Sequence, residues 1–310
     1  MTENIEKYKA LLETLACNLC GEDDYIVVYP PNYKQAKPEE IIETFRSSGD
    51  EVLLDQLVQC SHCGLLYLNP RLRSDIILEG YSSGEDQNFI SQAESRERTF
   101  AKSLKLIEKY KPNKGNVLDI GTAGGSFLKV ARDNGWQVAG CEPNQWLCDW
   151  ASQHYDLEIV PGTIFDMQLE DEHFDVITLW DVLEHTPDPT RVLHECYRVL
   201  KPGGVLLTNI PDFDSLVSRL MGRKWVFLLS IHLYYFTPKT IRKLLEKTGF
   251  RLLKHRPHWQ TLELGYIFFR AEAYMGRLAR LGGKIAKTLR INHLQIPYNM
   301  GQTLIFAERK

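Results

Sequence analysis

The chain has 310 residues, a formal net charge of −3, 44% hydrophobic and 25% charged residues. That length exceeds one ordinary domain and can bury a real core, and the near-neutral balance gives no global attraction for nucleic acid. Met1–Lys9 is charged with no apolar region behind it, and the longest apolar run, Trp225–Phe236, is broken by Ser230 and His232 and is too short to span a bilayer, so a cytoplasmic protein is expected.

Cys17 and Cys20 form one C-x-x-C pair and Cys60 and Cys63 a second, with 39 residues (21 to 59) between them. In a reducing compartment such cysteines are ligands sooner than disulfides. Each pair offers two thiolates from one turn, and two turns complete a tetrahedral S4 site suited to redox-inert zinc, with iron as the alternative metal. Gly21 and Gly64 each follow the second cysteine, where tight knuckles need glycine. His62, inside the second pair, is expected to face solvent. A closed site has no open position for chemistry, so its role is to stabilise a lobe spanning 1–75 that is too small to fold alone. Glu22-Asp23-Asp24 and Glu39-Glu40, without an arginine-lysine cluster, argue against nucleic-acid binding by this lobe. A helical linker, 76–110, is expected next and contains Tyr81. Cys141, Cys148 and Cys196 sit in apolar segments and read as core.

Strand Asn116–Ile120 runs into the glycine turn Gly121-Thr122-Ala123-Gly124-Gly125. A helix near Ser126–Asn134 follows, with Phe127, Val130 and Ala131 inward and Gly135 as a left-handed stop. Strand Gln137–Gly140 then leads to Glu142. Strand, glycine turn, helix, strand and carboxylate together build a cradle for a nucleoside cofactor with free ribose hydroxyls, where glycines let the backbone approach the ligand closely. The frame Gly121-x-Ala123-x-Gly125 is tighter than the G-x-G-x-x-G of dinucleotide sites, and no P-loop lysine follows.

The helix after Pro143 is expected to bury Trp146, Leu147 and Trp150. Strands are expected near Leu157–Val160, at Phe174–Leu179 and at Val205–Asn209, the second nearly all apolar as a central parallel strand should be. Helix Thr190–Leu200 should end at the Lys201-Pro202-Gly203-Gly204 turn. Thr237-Pro238 caps a helix with Leu244 and Leu245 inward and Gly249 at its end. Strands Phe250–His255 and Thr303–Glu308 complete the set. Alternation of strands and helices argues an α/β fold with a largely parallel sheet covered on both faces.

Segments across residues 110–258 resemble class I S-adenosylmethionine-dependent methyltransferases, in that family's order. The glycine turn resembles its motif I, Glu142-Pro143 its ribose-binding acid, and Pro161-Gly162-Thr163-Ile164-Phe165-Asp166 its adenine-bordering loop. Phe174–His185 resembles its fourth strand and turn, and Arg198–Gly204 the turn before its fifth strand. The resemblance implies a Rossmann-like seven-stranded sheet, parallel with one antiparallel strand. It also implies a cofactor site of Asp119, Gly121, Ala123, Gly125, Glu142, Pro143, Thr163, Ile164 and Trp180, with Tyr81 reaching in from the linker. Asp119 would lie under the methionine amino group. Ala123 replaces the usual second glycine, and the common acid is missing at Thr163, which leaves adenine N6 to backbone groups or Asp166. The cysteine segment, with Cys63–Arg71, resembles a zinc-ribbon-like module fused to a subgroup of the family.

Methyl transfer to a hydroxyl needs a base, because the hydroxyl keeps its proton at neutral pH. His185 is the first candidate, with Glu184 beside it, and its alternative role is to bridge the turn to nearby backbone. Asp181 and Trp180 end strand four beside the methyl position. The lid-like segment 212–236 adds His232 and Tyr234, while Trp225–Leu229 reads as core. The strand six to seven connection exceeds 40 residues and holds an insertion, 260–300. There Ile267, Ala271, Tyr274, Leu278, Leu281, Ile285 and Leu289 share one helical face, and Arg270, Arg277, Arg280, Lys284 and Lys287 the adjoining one. Gly276 and Gly282-Gly283 should break that helix. Three readings follow: packing on the protein's own domain, an anionic acceptor such as a nucleotide-linked or lipid-linked saccharide, and contact of 265–290 with the inner membrane face. Self-association through the lobe is a further expectation. The module's usual company points first to a saccharide hydroxyl. The alternatives are carbon or nitrogen methylation of a natural-product or quinone-like acceptor, and a non-catalytic cofactor-binding partner of another methyltransferase.

Overall fold

A computed structural model describes residues 9–32, 53–82, 84, 85 and 87–310. Glu39-Glu40, most of Met1–Lys9 and the side chain of Tyr274 lie outside the described residues. Among the described residues, five short strands come first: β1 (Leu12–Glu13), β2 (Tyr25–Tyr29), β3 (Leu57–Cys60), β4 (Leu66–Leu68) and β5 (Arg71–Leu72). Helices α1 (Ser74–Ser82), α2 (Gln87–Ile90) and α3 (Ala93–Ile107) form the linker. The alternating region runs β6 (Asn116–Ile120), α4 (Ser126–Asp133), β7 (Gln137–Glu142), α5 (Gln145–Tyr155), β8 (Val160–Pro161), β9 (Phe174–Trp180), α6 (Pro189–Val199) and β10 (Leu200–Pro211). The remainder is α7 (Leu216–Met221), β11 (Tyr234–Tyr235), α8 (Pro238–Lys247), β12 (Phe250–Pro257), β13 (Gln260–Glu263), α9 (Leu264–Met275), α10 (Arg277–Thr288), β14 (Gln295–Tyr298) and β15 (Gln302–Arg309).

The main sheet has seven strands in the order β12-β15-β10-β9-β6-β7-β8. Four neighbouring pairs, from β10-β9 to β7-β8, are parallel, and β15 runs antiparallel to both β10 and β12. This is the Rossmann-like sheet with one reversed strand. β9 is apolar because helices cover both faces. Val176, Ile177 and Leu179 are fully buried, as are Cys141 and Cys196, with Cys148 nearly so. Among the described residues, no helix is long and apolar enough to cross a membrane.

Several local expectations shift. α5 buries Leu147, Cys148 and Ala151, whereas Trp146 and Trp150 are only half-buried. Trp150 stacks on His154 instead, with ring centroids 4.3 Å apart. The third strand shrinks to β8, although Leu157 and Ile159 still reach the core from the loop before it. Lys201–Gly204 lies inside β10, where the register jumps from Leu200↔Phe174 to Val205↔Val176. It is an irregularity of the strand, not a separate turn. Of the two glycine sites in the insertion, only Gly276, at φ +50°, separates helices. Gly282 lies within α10 because a Cβ there would meet the Phe268 ring of α9 at 2.3 Å.

The cysteine-bearing segment does not make its sheet alone. That sheet has the order β11-β4-β3-β2, and β11 comes from the segment before α8. Tyr234 pairs with Tyr67 and Tyr235 with Leu66. Leu57, Leu65 and Leu68 share one core with Leu183, Trp225, Tyr235 and Phe236.

Gly140 in β7 shows how tightly the sheet meets α4. A Cβ there would lie 2.7 Å from Leu128 Cδ1 and 3.0 Å from the Asp119 carbonyl. The backbone cannot yield, so Gly140→Ala should cost about 1–3 kcal/mol. Urea unfolding should read this as a lower midpoint at an unchanged slope.

Candidate active site

The carboxyl ends of β6, β7, β9 and β10 converge on one polar region. The four strands are parallel neighbours, so Asp119, Glu142, Asp181 and Asn209 come to the same edge of the sheet. Asp119 is 1% exposed and accepts a hydrogen bond from Thr178 Oγ1 at 2.6 Å, while its Oδ2 has no partner. Burial pushes its pKa up to about 7. Glu142 is fully buried at the end of β7. Its Oε2 accepts from Ala123 N at 2.8 Å and its Oε1 from Asn144 N at 3.0 Å. Tyr81 lies near this carboxyl, and after burial the Glu142 charge raises its hydroxyl further above the ordinary value. Burial raises Glu142 to about 7, the backbone donors opposing the rise.

Ala123 sits in the left-handed region at φ +49°, an uncommon place for a residue with a Cβ. The glycines around it answer to packing as well as to any ligand. A Cβ on Gly121 would lie 2.8 Å from Val182 Cγ2, and one on Gly125 would lie 2.9 Å from Leu157 Cδ1. Both have positive φ, +64° and +74°. Pro143 follows Glu142 and is half-buried. Thr163 caps the short turn Ile164–Asp166, and its N and Oγ1 each lie 2.7 Å from Asp166 Oδ2. The Asp166 carboxyl is thereby committed to the cap, and Ile164 is buried.

Trp180 and Asp181 part company at the end of β9. The Trp180 ring faces Phe100 and Phe127, centroids 4.9 and 5.2 Å away, so it belongs to the second core. Asp181 turns out at φ +53°. Its Oδ1 accepts from Asn209 Nδ2 at 2.6 Å and Gln302 Nε2 at 2.7 Å, and its N–H returns a bond to Asn209 Oδ1 at 2.9 Å. Burial lifts Asp181 to about 6, against the lowering pull of Arg96 and these amides. Sequence reasoning missed Asn209 and Gln302. Asn209 left a signal, a polar residue ending an apolar parallel strand. Gln302 left none, because it arrives from the last strand.

Glu184, His185 and His232 form a second group, with ligand-type atoms all within 4.8 Å of one another. The two imidazoles meet edge to face, 4.6 Å apart. His185 Nδ1 lies 3.0 Å from the Ile231 carbonyl, and His232 Nδ1 lies 2.7 Å from the Phe227 carbonyl. A carbonyl only accepts, so both rings carry the proton on Nδ1 and leave Nε2 with its lone pair. Burial drives both toward neutrality, His185 to about 4 and His232 further, helped by its neighbour. Glu184 is buried with neither carboxyl oxygen bonded, and burial with Asp181 nearby raises it well above the usual range. Tyr234 stands apart. Its hydroxyl donates to the Pro187 carbonyl at 3.0 Å and accepts from Arg71 Nη1 at 3.2 Å.

The four N-terminal cysteines converge, with every Sγ within 4.8 Å of the others. Cys17 and Cys63 are 3.4 Å apart, as are Cys20 and Cys60. A zinc–sulfur bond of 2.3 Å in a tetrahedron spaces sulfurs by about 3.8 Å, so this cluster fits zinc. The amides of Leu19 and Cys20 near Cys17, and of His62 and Cys63 near Cys60, oppose the rise that burial gives these thiols. His62 points away, half exposed and 3.5 Å from Asp24.

A family described as a methyltransferase domain matches residues 92–255. The chain is 31% identical over 166 residues to the ubiquinone biosynthesis O-methyltransferase of Coxiella burnetii, covering 48% of this chain and 70% of that protein. It is 28% identical over 149 residues to the protein of the same name from Psychrobacter arcticus, covering 43% and 58%. A SAM-dependent methyltransferase from Archaeoglobus fulgidus shares the fold, with a TM-score of 0.50 at 19% identity, covering 72% of this chain and 100% of that one.

Two outcomes are expected. Purified without added metal, the chain should carry about one zinc by elemental analysis, and Cys63→Ser should lower both zinc content and the unfolding midpoint. The second concerns Asp119. Its folded pKa lies above the unfolded value of 3.8, so its contribution to stability is present below pH 3.8 and is lost as pH rises through about 7. Asp119→Asn keeps the bond from Thr178 and removes the titration. The variant should gain on the parent between pH 5 and 8 by a few kcal/mol, at about 1.4 per pK unit. Equal pH dependence of the two melting curves would refute the assignment.

Proposed function

This chain belongs to the methyltransferase-domain family and is an S-adenosylmethionine-dependent methyltransferase, and we propose that its acceptor is a hydroxyl on an aromatic, quinone-precursor-like molecule. The observation that carries the acceptor class is the similarity to the Coxiella burnetii ubiquinone biosynthesis O-methyltransferase, which extends over 70% of that protein. It favours the quinone-like acceptor over the saccharide hydroxyl suggested by the cysteine module.

S-adenosylmethionine, when bound, supplies a methyl group on a positively charged sulfur. Glu142, backed by the Ala123 and Asn144 amides, has lone pairs left for ribose hydroxyls, with Gly121, Ala123, Gly125 and Pro143 shaping the turn around them. Tyr81, near the same carboxyl, is proposed to cover that site, and Thr163 and Ile164 to border the base. Asp119 offers its unbonded Oδ2 to the cofactor's ammonium. Positive charge beside these buried carboxyls would draw their pKa values back down and favour the ionised forms. Trp180 stiffens the floor, and Asp181, held by Asn209 and Gln302, is proposed to position the acceptor.

A phenolic hydroxyl has a pKa near 10 and keeps its proton at neutral pH. The proposed base is a free Nε2, of His185 or of His232. Each Nδ1–H···O=C bond fixes its ring in the tautomer that accepts a proton. Because burial keeps both rings neutral to well below pH 6, the base form is present throughout the physiological range. Turnover therefore should not rise with imidazole titration near neutrality, as a solvent-exposed histidine would make it do. Tyr234 is proposed to brace the wall, its hydroxyl being held by Arg71 and Pro187.

A dihydroxyphenyl acceptor with an apolar tail should be methylated on oxygen by the purified chain, and a nucleotide sugar should not. His185→Ala or His232→Ala should cut turnover by about 10²–10⁴-fold with cofactor affinity retained. Glu142→Ala should instead weaken cofactor binding more than tenfold by calorimetry. Methylation of the sugar alone would overturn the acceptor class. Two alanine variants with near-normal turnover would remove both histidines as bases.

A further inference from the structure

α10 is built inside out. A helix on a globular domain turns its large apolar residues inward. Here the inward residues are small: Ala279 and Ala286 are 2% exposed, and Gly282 lies against Phe268 of α9. The large ones point out. Leu278, Leu281, Ile285 and Leu289 are 69%, 56%, 50% and 61% exposed. At about 100° per residue these four fall within an arc of about 80°, one continuous ridge. The expectation that the apolar stripe packs on the protein's own domain therefore fails for α10. The stripe is divided at Gly276, and its α10 half is exposed.

The charge beside the ridge is equally one-sided. From Arg277 to Leu294 the chain carries Arg277, Arg280, Lys284, Lys287 and Arg290 and no acidic residue, in a protein whose net charge is −3. All five cations are exposed. One of them, Arg280, is paired at 3.0 Å with Glu272 of α9. Among the described residues, the other four make no ion pair. Arg277 and Lys284 flank the ridge on the side away from α9, so aliphatic ends and ammonium or guanidinium heads face the same half-space.

We propose that α10 is a membrane-docking helix, lying in the plane of an anionic bilayer with the Leu278–Leu289 ridge in the acyl boundary and its cations on lipid phosphates. The pairing of an exposed apolar ridge with unpaired cations selects this occupant. A second copy of the chain would cover the apolar ridge but leave like charges facing one another. A nucleic acid would pair the cations and leave the ridge in water. Only an anionic lipid surface offers an apolar layer beneath negative headgroups. α10, at 12 residues, is too short to cross a bilayer and suits surface contact. The docking does not depend on the acceptor assigned above.

Flotation of the full chain with phosphatidylcholine vesicles, with and without phosphatidylglycerol, tests this. The chain should float with the anionic vesicles, and raising salt from 0.05 to 0.5 M should release it. Leu281→Ser with Ile285→Ser should lower vesicle affinity at least tenfold, and so should Lys284→Glu with Lys287→Glu. All four positions are exposed, so the melting temperature should not move. A failure of the parent to float at low salt would overturn the proposal. So would binding that survives the serine pair, which would mark a polyanion site, or concentration-dependent dimerisation without flotation, which would assign the ridge to a second copy.

Discussion

One buried carboxylate organises the cofactor end of the sheet. Glu142 takes the Ala123 amide on one oxygen and the Asn144 amide on the other. It thus joins the turn after β6 to the turn after β7. Asn144 extends the reach, capping α5 through Leu147 N at 3.1 Å and donating to the Tyr81 and Gly84 carbonyls at 2.9 and 2.7 Å. The linker, two strand ends and a helix start are therefore fixed around one charge. Removing that charge from water is costly, and its raised pKa is the sign of that cost. The backbone donors offset part of it. The same burial affects Asp119 and Asp181, so the site holds a set of carboxyls poised near neutrality that a positively charged ligand would relieve.

The cysteine lobe is held to this framework by backbone as much as by its core. Lys247 of α8 donates to the Leu19 carbonyl at 2.9 Å, and Lys243 to that of Cys63 at 3.2 Å. Asn18, between the first two cysteines, bonds both Asp188 and Thr190 at the start of α6. Each contact uses a group whose position depends on the knuckle. A metal that fixes the knuckles thereby also fixes where α6 and α8 meet the lobe. Strand β11 then runs from the lobe's sheet back toward His232. Through that strand the cysteine cluster and the imidazole pair are parts of one packed unit.

The insertion between β12 and β15 follows a different logic. Its strands β13 and β14 pair with each other, and Thr261 N bonds Thr99 Oγ1 of α3 at 3.0 Å, which secures the base of the insertion to the domain. Beyond that base, α9 and α10 pack on each other, and Gly282 at their contact lets the two approach closely. The large aliphatics of α10 are left exposed. The sheet end thus concentrates unsolvated negative charge, while α10 displays positive charge and apolar surface outward.

The strand-helix alternation, the glycine turn, the capped helix at Thr237 and the two C-x-x-C pairs were all legible in the sequence. Each is set by residues within a few positions of one another: side-chain period, positive-φ demand, a cap three residues from its amide. Glu142 and the four cysteines could be named because strand ends and knuckles place particular residue types at short, regular spacings, whereas Asp119 was named from the family resemblance alone. What tertiary structure decided was which groups share a space. His185 and His232 lie 47 positions apart, and only the packing of the segment before α8 brings their rings together and assigns each Nδ1 a carbonyl. Gln302 reaches Asp181 across 121 positions because β15 lies beside β10. The direction of the α10 stripe was undecided for the same reason. Periodicity states that apolar residues share a face, but whether that face meets a core or water depends on what the fold puts beside it.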